Sequence, residues 1–324
     1  MNTPKKIQHV LKIPASSFGQ RLDHVLPKLL PDYSRTQIQT WIDQGHILLD
    51  EQIVKAKTKV KGGETVNIDA PVSILVHEAQ PITFPIIYED ESLLIINKPP
   101  GLVVHPGAGQ KDQTLLNALL FYLPVLNTLP RAGILHRLDK NTSGLLLIAK
   151  TPQALKALSA QLKNRTLLRE YQAVVYGQLI SGGTVDVPIG RHPIKRQRMA
   201  AIEKGKPART HYRVLEKYRA HTLIKAKLDT GRTHQIRVHM AHIHHPIVGD
   251  SHYGRLQLTK GMDNHLIEFL RNFKRQALHA YAIGFLHPIK ETWMSFEIDV
   301  PKDMHELIQL LRDDEKQRPN LHKT

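Results

Sequence analysis

The chain has 324 residues, enough for more than one domain with at least one sizeable core. Lys and Arg number 45 against 29 Asp and Glu, a formal charge of +16, and such a surplus fits a polyanionic partner. There is no cysteine, which excludes disulfides, thiolate catalysis and cysteine-ligated zinc. No apolar run approaches the roughly 20 residues of a bilayer span, and no sustained basic amphipathic stretch points to lipid. Met1 to Lys6 leads into no apolar signal core. The expectation is a cytoplasmic protein facing nucleic acid, with no membrane contact.

Leu22, Val25, Leu26, Leu29 and Leu30 share one face of a first helix, which Pro27 should shorten or kink. Ser34 and Gln37 have capping-box spacing for a second helix with Ile38, Trp41 and Ile42 inward and Gly45 at its end. Short apolar runs at 47–49, 53–54 and 66–68 predict small strands. Two helices followed by strands resemble the S4 RNA-binding module. The residues that carry this are Gly19-Gln20-Arg21-Leu22-Asp23 and Tyr33-Ser34-Arg35. The resemblance implies Arg21, Arg35, Lys55 and Lys57 as RNA-binding residues; without it the lysines are a solvated face. The module is placed at 1–78, with a proline-bearing linker over 79–86.

From 87 to 305 the composition predicts a second domain of strands and a few helices. Leu93 to Ile96, Leu102 to Val104, Leu145 to Ala149, Tyr171 to Tyr176 and Leu223 to Leu228 read as strands. Thr151-Pro152 is an N-cap and N1 pair for a helix carrying Leu155, Leu158 and Leu162. Without a βαβ rhythm the class is α+β. Residues 306–324 form a C-terminal helix and tail, polar and frayed from Arg312 on.

Two stretches concentrate chemistry-bearing side chains. The first is Gly133-Ile134-Leu135-His136-Arg137-Leu138-Asp139-Lys140-Asn141-Thr142-Ser143, a polar loop before a strand. On these residues alone Asp139 is equally well a turn residue bonded to Thr142-Ser143. The second is Gly231-Arg232-Thr233-His234-Gln235-Ile236-Arg237-Val238-His239-Met240. Here Thr233 should cap a helix with Ile236, Met240 and Ile243 inward. Arg237, beside that apolar face, needs an anionic partner, for which Asp139 is a candidate, or must reach solvent. His234, His239, His242, His244 and His245 are dense but match no HExxH spacing, so no metal site is assigned. Phosphate-binding, nucleophile-elbow and dinucleotide motifs are missing.

His136-Arg137-Leu138-Asp139-Lys140, Asn97-Lys98-Pro99, Arg169-Glu170-Tyr171, Gly231 to Arg237 and Leu278-His279-Ala280 together resemble, in order, the motifs of the RluA family of pseudouridine synthases. Asn141 departs from the family, where an acidic residue is expected. The resemblance implies a mixed, mainly antiparallel catalytic sheet. The implied reaction breaks the N1–C1′ bond of uridine, rotates the base and rejoins it through C5. Atoms and electrons balance, so no cofactor is implied. Asp139 would be the nucleophile, or the base in a glycal route. Arg237 would keep it charged, Tyr171 would pack on the flipped uracil and help remove the C5 proton, and Arg137 would displace the base. Ile236 and Leu278 would wall out water, with His136 and Arg232 also on the substrate.

With the S4-like module, the resemblance narrows to the branch acting on 23S ribosomal RNA of the large subunit or its precursor particle, at helix 69, as a monomer by default. Two other readings stand beside it: a non-catalytic RNA-binding assembly factor on the same fold, and a metal-dependent RNA hydrolase built on the histidines.

Overall fold

The computed structural model describes residues 6–31, 33, 35–71, 77–107, 109–195 and 198–317. The chain divides into two compact units, Met1–Val76 and His77–Thr324, each with its own apolar core.

In the first unit β1 (Lys6–Lys12), α1 (Leu22–Leu29), α2 (Arg35–Asp43), β2 (Ile47–Leu49), β3 (Gln52–Ile53) and β4 (Thr65–Pro71) follow in order. The strands form an antiparallel sheet in the order β1-β4-β2-β3. Leu22, Val25 and Leu26 of α1 meet Ile38, Trp41 and Ile42 of α2 over Ile47, Val66 and Ile68, as the helical periodicity requires. Pro27 lies inside α1, which is only eight residues long. The Ser34 cap expected for α2 lies outside the described residues, as does the tail from 318.

The second unit is built on a nine-stranded sheet. Its strands are β5 (Ile86–Glu89), β6 (Leu93–Lys98), β7 (Ser143–Ala149), β8 (Leu168–Tyr176), β9 (Gly183–Asp186), β12 (Arg209–Lys217), β13 (His221–Leu228), β14 (Leu278–Leu286) and β15 (Trp293–Glu297). The order is β5-β6-β7-β14-β8-β13-β12-β9, with β15 on β14. A separate hairpin pairs β10 (Ile189–Arg191) with β11 (Met199–Ala201). All pairings are antiparallel except β7 with β14, so the sheet is mixed and mainly antiparallel, and the class is α+β.

Strand alternation explains the layering. Leu94 and Ile96 of β6 and Leu146 and Ile148 of β7 enter the core on one face, whereas Leu93, Ile95, Leu145 and Leu147 enter the core on the other. The first face is covered by α3 (Leu115–Tyr122), α6 (Asn264–Asn272) and α7 (Lys302–Lys316), the second by α4 (Pro152–Asn164). Thr151 caps α4 by accepting from the Ala154 N–H at 3.1 Å. The remaining helix, α5 (Gln235–His242), lies beside the site described below.

Three expectations change. Leu102 to Val104 is not a strand; Val103 makes one isolated bridge to Thr114, because the segment turns over Lys98 instead of extending along the sheet. Residues 78–80 are tied to α3 and the turn before it: the Asn117 side chain donates to the Glu78 carbonyl at 2.8 Å, and the Gln80 side chain accepts from the Gln113 N–H at 2.7 Å. Arg312 is not frayed, since α7 buries Met304, Leu307, Ile308 and Leu311 and Arg312 bonds Glu216 at 2.8 Å.

Candidate active site

Asp139 sits in the segment that enters β7. The turn after it is closed by its backbone, with its carbonyl accepting from the Thr142 N–H at 3.0 Å, which leaves the carboxylate for other partners. Several groups hold this segment from outside. Lys98, fully buried, donates to the carbonyls of Pro99, Leu102 and Lys140 at 2.7, 2.9 and 3.1 Å. Burial pushes its pKa down to about 7 against the pull of the Asp139 charge. Gln276 donates to the Thr142 hydroxyl at 3.0 Å, and Arg275 to the Asn141 carbonyl at 3.4 Å. Gly144 follows at φ +120, and a Cβ there would lie 2.3 Å from the Ala280 carbonyl oxygen. Only glycine lets β7 approach β14 closely enough to fix the loop's exit.

Arg237 connects the two motif stretches. Its Nε and Nη2 close on the Asp250 carboxylate at 2.7 and 2.9 Å, and its Nη1 donates to Asp139 Oδ2 at 2.9 Å. Asp250 is completely buried and also accepts from the His252 and Tyr253 N–H groups. The Tyr253 ring covers the guanidinium, 5.0 Å from its carbon. Burial works against the charge on Arg237, but the two carboxylates outweigh it and hold the pKa above the usual arginine value. Asp139 Oδ1 accepts no hydrogen bond among the described residues; the His234 Nε2 stands 3.9 Å away.

The helix carrying Arg237 starts differently from expectation. Thr233 is not its cap. His234 takes the N-cap position in the left-handed region, φ 58, without a side-chain cap. Gln235 ties the entry instead, accepting from the Arg232 N–H and the Thr230 hydroxyl and donating to the Arg209 carbonyl. Residues Gln235 to Met240 are all buried, so α5 is enclosed rather than amphipathic.

Asp139 and Arg237 line a cavity of about 730 Å³ together with Tyr171, Ile236, Leu278, Arg137, His136 and Arg232. Every catalytic and substrate-binding residue expected from the sequence therefore faces one space. Tyr171, Ile236 and Leu278 are buried apolar wall. Burial raises the Tyr171 pKa, so its hydroxyl stays protonated at neutral pH. His136 accepts from the Leu147 N–H at 3.3 Å, and burial pushes its pKa down to about 3, leaving a neutral ring. Arg137 is exposed on the rim, and Arg232 donates to the Pro207 carbonyl at 3.1 Å. Sequence reasoning gave no site role to Asp250, Tyr253 or His234, whose Nδ1 lies 2.7 Å from the Tyr253 hydroxyl. The one available signal was that an arginine on a buried face needs an anionic partner.

Of the other histidines, His242 and His244 are exposed, and His239 and His245 have separate partners. His239 bonds the Thr210 hydroxyl and the Val187 carbonyl, and His245 the Tyr176 carbonyl. Among the described residues no three His, Cys, Asp or Glu side chains converge as metal ligands would. In the first unit, Lys55 and Lys57 are exposed, while Arg21 and Arg35 are half-exposed and both bond the buried Asp23, at 2.9 and 2.7 Å. Asp23 also accepts from Gln39 at 2.7 Å. Burial opposes its charge, yet these bonds hold the carboxyl far below the usual range.

A model of the RNA pseudouridylate synthase family matches residues 92–242, and one of the S4 domain matches residues 20–66. The chain is 50% identical over 313 residues, 96% of each chain, to ribosomal large subunit pseudouridine synthase D of Escherichia coli K12. It is 50% identical over 304 residues to the protein of that name from Xanthomonas campestris pv. campestris, covering 93% of this chain and 92% of the relative. Among solved structures, human RNA pseudouridylate synthase domain containing 4 shares the fold, with a TM-score of 0.56 and 24% identity over 70% of this chain and 93% of that one. A cavity built from ordered motifs and half-identity over nearly the whole length lead to one assignment: this chain is a member of the RNA pseudouridylate synthase family, an RNA pseudouridine synthase with an N-terminal S4 domain.

Proposed function

We propose that this enzyme converts uridines of large-subunit ribosomal RNA to pseudouridine, with Asp139 as the reacting carboxylate. The observation that carries the reading is the unequal treatment of its two oxygens. Arg237 donates to Oδ2 at 2.9 Å, while Oδ1 has no hydrogen-bond partner among the described residues, and the residue lines the cavity. The relatives' names supply the RNA class, and the helix 69 stem-loop of 23S RNA is the address that the resemblance implies. A flipped uridine would lie against Tyr171, Ile236 and Leu278, with Arg137 at the rim taking its place in the stack.

Asp139 then attacks as a nucleophile or removes a proton in a glycal route. Either way the detached base must be kept from water while it turns, which the apolar walls favour. In the S4 domain, Arg21, Arg35, Lys55 and Lys57 would hold RNA phosphates. The reading places the enzyme in the cytoplasm as a monomer, acting on the RNA or its precursor particle. Among the described residues no helix is long and apolar enough to cross a membrane.

The test is a map of pseudouridines in ribosomal RNA from cells lacking the gene, complemented with wild type or Asp139→Asn. Wild type should restore specific large-subunit sites, and Asp139→Asn none. Restoration by the variant would remove Asp139 from the chemistry, and an unchanged map without the gene would exclude this RNA as substrate.

A further inference from the structure

Among the described residues, three buried Lys and Arg side chains stand out: Lys98, Arg169 and Arg237. Lys98 has its three carbonyls and Arg237 its two carboxylates. Arg169 has neither. It is 6% exposed, its Nε is enclosed without a hydrogen-bond partner, and its guanidinium makes no ion pair or hydrogen bond among the described residues. An arginine removed from water without an anion is costly, so a position like this implies a partner that the free protein lacks.

The surroundings show which partner is missing. Arg169 lines the active-site cavity, two residues before Tyr171 on β8 and hence on the same face, about 7 Å along the strand. That step leads from the base-binding wall toward the end of α4, where Lys163 and Arg165 also line the cavity. Nearby carboxylates are already taken: Glu170 by Lys225 and Tyr281, Asp229 by His211, Asp139 by Arg237. The backbone also makes room for the guanidinium. A Cβ on Gly231 would lie 2.8 Å from the Arg169 Nη1. The Gly231 backbone passes close against Arg169.

We propose that Arg169 is the receptor for a backbone phosphate of the RNA strand that carries the target nucleotide. The inference rests on the cavity being the seat of that nucleotide. A phosphodiester supplies both the negative charge and paired oxygens that match the guanidinium fork. A uracil carbonyl would accept one hydrogen bond but leave the buried charge uncompensated. With Tyr171 on the base and Arg169 one register step away on a phosphate, a single strand would fix both ends of the flipped nucleotide.

The test uses the full chain and an RNA stem-loop whose target uridine has been mapped, made with a charge-free methylphosphonate at each phosphate flanking that uridine in turn. Wild type should lose about 10-fold in affinity at one of these positions. Arg169→Gln should lose a similar factor on all-phosphate RNA, nothing more from the methylphosphonate at that position, and about one unit of salt slope. Arg169→Lys should recover part of the loss. Wild-type binding indifferent to every flanking methylphosphonate overturns the proposal whether or not the variants fold. So does an Arg169→Gln loss that merely adds to each methylphosphonate loss, which would put the guanidinium on the base or in the fold. Conversion of the all-phosphate stem-loop by wild type separates the two readings. If it fails, the cavity is not the nucleotide's seat and the proposal falls with it; if it succeeds, only the phosphate contact is at stake.

Discussion

Arg237 gives Asp139 one N–H, from Nη1 at 2.9 Å, while its Nε and Nη2 are closed on Asp250. The fork on Asp250 sets the plane, and the plane aims Nη1. Asp250→Ala should therefore do more than remove one ion pair. It frees the guanidinium to rotate and strips the His252 and Tyr253 N–H groups of their acceptor. Loss of one partner of a buried pair costs about 3–5 kcal/mol, so urea unfolding should shift by that order and turnover should fall with it. An unchanged unfolding midpoint would show that Arg237 is held by something else.

Tyr171 offers a cleaner separation of roles. Its ring is part of the buried wall, and burial keeps its hydroxyl protonated at neutral pH. Tyr171→Phe keeps the ring and removes only the hydroxyl. The variant should bind RNA as wild type does and turn over about 100-fold more slowly, the lower range for loss of a proton-transfer group. Equal single-turnover rates would confine Tyr171 to packing.

The S4 domain contains two kinds of basic residue, and they should fail differently. Lys55 and Lys57 are exposed and have no side-chain partner to abandon among the described residues. Changing both to Gln should lower the salt slope of RNA binding by about 0.7–0.9 for each phosphate left without its lysine and leave stability within about 0.5 kcal/mol. Arg35→Gln should weaken binding and also lower stability by about 1–3 kcal/mol, because the buried Asp23 loses a charged donor. Binding curves across salt, run beside urea unfolding, distinguish the two.

His221 predicts a pH dependence. Burial alone pushes its pKa down to about 4, from 6.5 when unprotected. Below 6.5 the unfolded chain takes up a proton that the folded chain refuses. Stability present above pH 6.5 is therefore lost as the pH falls toward 4, by up to about 1.4 kcal/mol per unit from this site. His221→Phe should keep the ring contact with Tyr176, whose centroid lies 5.1 Å away, and flatten the acid limb by that share. An acid limb identical in both proteins would assign the loss to other groups.

Much of this molecule is legible in short stretches of sequence. The Thr151 cap, the α1 and α2 stripes and the strand at Leu93 to Ile96 depend on neighbours within a few residues, and local periodicity reports such neighbours directly. Ordered motifs likewise marked Asp139, Tyr171 and Arg237, which the fold brings to one cavity. For Asp139 the loop residues alone left two readings of equal weight, a turn residue or a reactive one. The tertiary structure decides where its carboxylate goes: the backbone carbonyl closes the turn, and the side chain reaches an arginine 98 positions away. The double carboxylate on Arg237, the carbonyl clamp of Lys98 and the unpaired burial of Arg169 have the same origin. Each depends on how much water a charge retains and which distant group replaces it, and neither quantity exists until the chain has closed around it.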